Sequence, residues 1–144
     1  MSKIKFSGKC HCAGVQFEVE LKNGLTKPRR CNCSICEQRG AVVVSTLIEN
    51  FTITSGEDFL TLYQFNTHKA KHYFCSKCGI YAHHQRRSVP TEYAINVATL
   101  DDVSPFDFNE VPVFEGREHP RDKDNQAKAE VYGVLSFLNK KQPV

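Results

Sequence analysis

The chain has 144 residues, of which 40% are hydrophobic and 24% charged, as expected for one globular domain with a true core. No apolar run approaches the ~18–20 residues of a membrane span, and the start of the chain lacks the hydrophobic segment of a secretory signal peptide. We therefore expect a single domain over residues 1–144, a cytoplasmic location and no membrane partner, with a formal charge of only +3.

Most of the predicted elements are β-strands, because apolar residues alternate with polar ones or form short β-branched runs. Strands are predicted at residues 15–21, 41–47, 51–54, 60–65, 93–97 and 111–114. The segment 101–124 is rich in Asp and Pro and predicts an ordered surface loop. Together these elements predict a mainly β domain of short antiparallel sheets.

One short helix is predicted at Ser34, which forms a capping-box pattern with Glu37, and Gly40 is expected to end it. Near the C-terminus two alternatives stay open, a helix over residues 125–131 or a final strand over residues 132–138.

Seven cysteines are the most informative feature of the sequence. An odd number does not suit a disulfide framework, and disulfides rarely persist in the reducing compartment expected for this chain. The cysteines fall in three groups, within residues 10–12, 31–36 and 75–78. Such close spacing is typical of metal ligands.

The third group, Cys75 and Cys78, is a zinc knuckle in which Gly79 relieves the backbone strain after the turn. A knuckle supplies two ligands, so another pair must complete the site. Pairing it with Cys10 and Cys12 gives a closed four-cysteine site, whereas pairing it with part of the middle group leaves thiols stranded. We favour the first division because it uses every cysteine and keeps each group whole.

This division leaves Cys31, Cys33 and Cys36 as a three-thiolate site with an open fourth position, which distinguishes catalytic from structural zinc. Cys36 is expected in the first turn of the helix, where the dipole favours a thiolate. The alternative is a second structural zinc completed by a histidine. The candidates for that ligand are His11, His68, His72, His83, His84 and His119.

His83 and His84 are adjacent on a probable strand, so only one of them can face inward. Several nearby basic residues are either solvated or attract an anionic substrate towards the open metal. These residues are Lys69, Lys71, Arg86 and Arg87. Two Zn²⁺ on seven thiolates would bring the formal charge to zero, so no nucleic-acid partner is expected.

These motifs resemble the glutathione-dependent formaldehyde-activating enzyme family, which includes relatives of centromere protein V. The resemblance covers residues 8–102, and the segments occur in the family's order. The matching segments are Gly8-Lys-Cys-His-Cys-Ala-Gly14-Val-Gln-Phe17, Cys31-Asn-Cys-Ser-Ile-Cys36, Phe74-Cys-Ser-Lys-Cys-Gly79 and Asn96-Val-Ala-Thr-Leu-Asp-Asp102.

The resemblance implies an Mss4-like, mostly β fold around a structural zinc, and it implies the same division of the ligands. It also implies a carbon–sulfur lyase that adds glutathione to formaldehyde to give S-hydroxymethylglutathione. The expected partners are therefore a small-molecule thiol and an aldehyde, and the expected cofactor is zinc, two ions per chain.

Three functional hypotheses follow. In the first, which we favour, zinc on Cys31, Cys33 and Cys36 binds a substrate thiol as thiolate or polarises a carbonyl. In the second, the protein is a non-catalytic Mss4-like binding module with two structural zincs. In the third, it is a thiol redox enzyme on the related methionine sulfoxide reductase scaffold, which needs a free cysteine that the seven-ligand assignment does not leave.

Overall fold

A computed structural model describes residues 3–123 and 128–138 of the chain. Within these ranges the chain forms twelve strands and one α-helix, α1 at Ser34–Arg39. The strands are β1 Lys5–Lys9, β2 Gln16–Glu20, β3 Lys22–Leu25, β4 Arg30–Cys31, β5 Val43–Leu47, β6 Phe51–Ser55, β7 Leu60–Tyr63, β8 Lys71–Cys75, β9 Tyr81–Gln85, β10 Glu92–Asn96, β11 Glu110–Phe114 and β12 Val131–Ser136.

Eleven of these strands form three sheets, in the orders β1-β2-β6, β5-β10-β9-β8-β7 and β12-β11-β4. Neighbouring strands run antiparallel in every pairing but that of β4 with β11. The predicted mainly β, antiparallel class is therefore confirmed. No helix in the described part of the chain is long and apolar enough to cross a membrane.

The main core lies between the first two sheets. Phe17 and Val19 of β2 pack with Val44 of β5 and Ile95 of β10, and each of these side chains is at most 4% exposed. Their alternation with exposed residues is the pattern that predicted these strands, since successive side chains of a strand point to opposite faces. Burial of this apolar surface fixes the register of the strands in both sheets. It therefore also fixes the positions of the turns that follow these strands.

The five-stranded sheet carries a polar row on its other face. Ser45, Ala94, His84 and His72 lie side by side on β5, β10, β9 and β8, and residues paired in register share one face of a sheet. His83, one residue away, faces the core instead and is 3% exposed. The prediction that only one of the two adjacent histidines faces the core is confirmed.

Two local predictions are corrected or resolved by the structure. Part of the segment predicted as a surface loop, residues 101–124, is strand β11, which was also predicted as a strand. The proposed helix over 125–131 falls partly on residues 124–127, outside the described residues, while β12 confirms the alternative of a final strand.

Candidate metal centres and the adjoining cavity

Four cysteines from two turns meet at one point. Cys10 and Cys12 follow β1, Cys75 ends β8 and Cys78 lies in the turn before β9, and their sulfur atoms all lie within 4.8 Å of one another. Cys12 Sγ is 3.6 Å from Cys10 Sγ and 3.7 Å from Cys75 Sγ. Zn–S bonds of ~2.3 Å in a tetrahedron place the sulfurs ~3.8 Å apart, so this group fits a tetrahedral metal ion.

The backbone of the first turn is built around the sulfur atoms. The N–H groups of Gly14 and Val15 donate to Cys12 Sγ and Cys10 Sγ, at 3.4 and 3.3 Å. These hydrogen bonds fix the positions of the two sulfur atoms relative to the turn. Ala13 takes a left-handed conformation, with φ of 60°.

The knuckle closes as the sequence predicted. Gly79 N–H donates to Cys75 O at 2.8 Å, and Gly79 adopts a φ of 75°, which only glycine takes without strain. The turn thus brings Cys78 back towards Cys75.

The other three cysteines form a second group at the start of α1. The sulfur atoms of Cys31, Cys33 and Cys36 lie within 4.8 Å of one another. All seven cysteines of the chain therefore belong to one of the two groups, and no thiol stands apart from them.

The N-terminus of α1 differs from the prediction by one residue. Cys33 is the N-cap, no side chain caps the helix by a hydrogen bond, and Ser34 is the first helical residue. The predicted Ser34–Glu37 capping box is therefore wrong, because Cys33, a member of the thiol group, takes the N-cap position in place of Ser34. Gly40 ends the helix in a left-handed conformation, as predicted.

This shift moves the favoured thiolate from Cys36 to Cys33. Interactions with the Cys31 and Cys36 thiols, and then with the backbone N–H groups of Cys36 and Ile35, lower the pKa of the Cys33 thiol. Interactions with Cys31 and Cys33, and then burial, raise the pKa of Cys36. The first turn of α1 thus stabilises anionic sulfur at its cap position.

The three-cysteine group opens onto a cavity of about 770 Å³, a size typical of small-molecule sites. Apolar and neutral lining residues include Ile35, Phe65, Phe114, His72 and His84, and the charged ones are Lys22, Lys27, Arg29, Arg30, Arg39, Arg86, Arg87, Lys128, Glu92, Glu110 and Glu115. Eight cations against three carboxylates make this cavity electropositive, which favours an anionic ligand.

Arg39 of α1 joins the thiol group to the polar row of the sheet. Its Nη2 donates to Cys36 Sγ at 3.4 Å, and its Nη1 donates to His72 Nδ1 at 3.0 Å. Its guanidinium lies over the Tyr81 ring, 3.6 Å from the centroid, a cation–π contact. No ion pair of Arg39 occurs among the residues that the structure describes, so the thiol group is its nearest anionic partner.

His72 and His84 are neutral in this setting. Burial, and then the charge of Arg39, lowers the pKa of His72 to about 4 and that of His84 well below its usual value. His84 Nδ1 and the Tyr81 hydroxyl are hydrogen-bonded at 2.6 Å. Since His72 Nδ1 accepts from Arg39, the proton of the neutral His72 imidazole lies on Nε2.

None of the six candidate histidines completes the three-thiol group. Each lies in the described part of the chain, where the ligand group at this site contains cysteines alone. His72 and His84 line the same cavity but use Nδ1 elsewhere, while His11 and His68 are exposed. None of these histidines therefore occupies the fourth coordination position of the three-thiol group.

Two of the four predicted basic residues reach the cavity. Arg86 and Arg87 line it, whereas Lys69 and Lys71 do not. Both arginines are already paired, Arg86 with Glu92 at 2.6 Å and Arg87 with Asp122 at 3.2 Å.

Gly116 and Asn32 belong to the surroundings of the three-thiol group, and sequence reasoning missed both. A Cβ at Gly116 would overlap Cys31 Sγ, so the loop after β11 lies directly on the thiol group. Asn32 Oδ1 accepts from Gly116 N–H at 2.7 Å, and its Nδ2 donates to Glu115 at 3.2 Å. Asn32 therefore clamps this loop from between two ligands, a role that only its position inside the cysteine motif could have suggested.

A β fold with one group of four thiols and one group of three, each able to hold a metal ion, defines a class of small proteins with cysteine-based metal sites. The sequence model for glutathione-dependent formaldehyde-activating enzyme matches residues 5–114, and the chain belongs to this family. It is also similar to the crystal structure of a Rhodobacter sphaeroides protein, with 52% identity over 74% of this chain and 98% of that chain and a TM-score of 0.73. The resemblance noted in the sequence is thus confirmed.

Proposed function

We propose that this protein is a zinc-dependent carbon–sulfur lyase that joins a thiol of the glutathione type to a small aldehyde. Two zinc ions are proposed, a structural ion on Cys10, Cys12, Cys75 and Cys78 and a catalytic ion on Cys31, Cys33 and Cys36. One observation carries the proposal: the three-thiol group opens onto a cavity of about 770 Å³ and has no fourth ligand among the described residues.

The chemistry needs one new bond and one proton transfer. The thiol sulfur adds to the aldehyde carbon, the C=O double bond becomes a single bond, and the thiol proton ends on the former carbonyl oxygen. A zinc ion with three thiolate ligands supplies a soft site for sulfur and a mild Lewis acid.

The chain's own groups complement this chemistry. His72 lines the cavity, and its Nε2–H is the donor we assign to the oxygen on which negative charge develops. Arg39 offsets the net charge of −1 that three thiolates leave on a divalent ion. A fourth anionic sulfur can then approach without strong repulsion.

The proposal is tested by zinc content and by the rate of S-hydroxymethylglutathione formation above the uncatalysed rate. Wild type should hold two zincs, and Cys33→Ser should lose one zinc together with the activity. Ser34→Ala is the matched control, because Ser34 is an exposed neighbour that lies outside both ligand groups, and it should keep both.

Full activity in a Cys33→Ser protein that holds one zinc would show that the three-cysteine site is not catalytic. Two zincs that exchange equally slowly, with no activity for any thiol and aldehyde, would instead identify the non-catalytic binding module.

A further inference from the structure

Arg29 is fixed in the wall of the cavity, two residues before Cys31. Its backbone N–H donates to Val43 O at 3.0 Å, and its carbonyl accepts from Val43 N–H at 2.9 Å. Its guanidinium Nη1 donates to Ser45 Oγ at 2.9 Å. Both ends of this half-buried side chain are therefore held, so its position is set before any ligand arrives.

The charge of Arg29 has no carboxylate partner within residues 3–123 and 128–138. Its one hydrogen-bonded side-chain partner, Ser45, is neutral. An arginine offers five N–H donors, and none of the nitrogens of Arg29 is buried without a partner. The remaining donors therefore reach solvent, and Arg29 lines the cavity.

An arginine guanidinium stays protonated in proteins, and Arg86, a second cation, lines the same cavity. The buried carboxylate of Glu92 is already shared between Arg86 at 2.6 Å and Lys22 at 2.7 Å. A partly desolvated cation without an anion is costly, and an anionic ligand removes that cost.

The register of the sheet relates Arg29 to the polar row. Ser45, which holds Arg29, pairs across Ala94 with His84. Arg29, His84 and the three thiols line one cavity. A ligand in this cavity can therefore contact Arg29 while its sulfur lies at the three-cysteine group.

We propose that Arg29 anchors an anion subsite that binds a substrate carboxylate in the cavity onto which the three-thiol group opens, so that the cavity selects carboxylate-bearing thiols. The identity of the ligand as a thiol rests on the proposed function, whereas the binding of a carboxylate at Arg29 does not. The bidentate geometry of arginine suits a carboxylate.

The test uses S-methylglutathione, which keeps both carboxylates but has no free thiol, titrated calorimetrically into the zinc-loaded protein. Arg29→Gln should weaken binding about tenfold or more, and Arg29→Lys should bind more tightly than Arg29→Gln. Arg117→Gln is the control, since Arg117 pairs with Glu37 and does not line the cavity. It should bind as wild type does. The diethyl ester of the probe should bind wild type as weakly as Arg29→Gln binds the free acid.

Equal affinity of wild type and Arg29→Gln, equal affinity for acid and diester, or no binding to wild type overturns the subsite. Circular dichroism and zinc content identify a variant that fails to fold, and the lysine variant then decides the outcome. Arg29-dependent binding in a protein without lyase activity overturns the proposed function alone. Lyase activity that is equal for glutathione and its diethyl ester overturns the subsite alone.

Discussion

Gly116 provides space beside Cys31 that any side chain would occupy. Because a Cβ at this position would overlap Cys31 Sγ, Gly116→Ala should displace the thiol, reduce zinc from two ions to one and lower lyase activity at least about tenfold. Gly133→Ala is the control, since its Cβ would meet no atom within 4 Å. Zinc content per chain and the lyase rate measure the effect, and a Gly116→Ala protein that retains both ions would contradict it.

His83 makes stability depend on pH. It packs against Phe51 and Tyr73, with ring centroids 4.4 and 4.8 Å away, and its Nδ1 is buried without a partner. Burial lowers its pKa to about 3 from an ordinary value of 6.5. The unfolded chain therefore binds a proton that the fold excludes. This contribution is complete above about pH 6.5 and is lost as the pH falls towards about 3.

His83→Phe should remove this loss. Below pH 6.5 the free energy of unfolding of wild type should fall more steeply than that of the variant, by at most ~1.4 kcal/mol per pH unit. Urea unfolding at pH 7, 6 and 5 with zinc present measures the difference, because acid release of metal affects both proteins alike. His68→Asn, at an exposed histidine, should follow wild type. Parallel curves for wild type and His83→Phe would refute the assignment.

At the scale of elements, α1 depends on the thiol group for its order. It has six residues and no buried side chain, and such a short helix is marginal by itself. It is attached through Cys33 and Cys36, through Arg39, which contacts the Tyr81 ring and His72, and through an exposed ion pair of Glu37 with Arg117. The helix therefore gains its order from the site that it helps to form.

Removal of the metal from the three-cysteine group should therefore release α1. Amide exchange at Glu37 and Gly40, whose N–H groups bond to Cys33 O and Cys36 O, should accelerate about tenfold or more. Amides of β9 and β10 should keep their protection because the core holds them. Hydrogen exchange before and after mild chelation measures this, and unchanged exchange at Glu37 and Gly40 would contradict it.

Elements with a clear apolar period were predictable, and those defined by buried polar residues were not. The alternation of β2 and the end of α1 at Gly40 could be read from the sequence. Strand β8 was missed because His72 and its neighbours show no apolar alternation, and their burial depends on partners from other segments. The division of the cysteines into two groups was predictable from their spacing. The roles of Arg39 and Gly116 were not, because they depend on contacts that only the fold creates.

At the scale of the whole molecule, the four-cysteine group connects two sheets. Cys10 and Cys12 follow β1 of the first sheet, and Cys75 belongs to β8 of the second. Val15, Cys10 and Cys75 also share a small buried cluster. A metal ion at this group therefore links the two layers that enclose the core.

Cys12→Ser should consequently destabilise the protein far more than Cys33→Ser. Cys12 is exposed, so its replacement costs little packing, and the loss is that of a structural metal, ~10 kcal/mol or more. This exceeds the stability of many domains, so the variant should lack a cooperative transition. Thermal unfolding by circular dichroism, with zinc content, compares the two. Equal melting temperatures would show that this group does not stabilise the fold.

The two cysteine groups differ in how far apart their members lie along the chain. They therefore differ in whether they can form before the chain folds. Cys12 and Cys75 are 63 residues apart, so the four-thiol group exists only in the native chain. The other three thiols lie within residues 31–36 and stay close together in any conformation. Metal bound there by the unfolded chain offsets part of its stabilising effect by mass action. Under the proposed assignment, newly made protein can take up the catalytic ion before it folds, while the structural ion must await the meeting of the sheets.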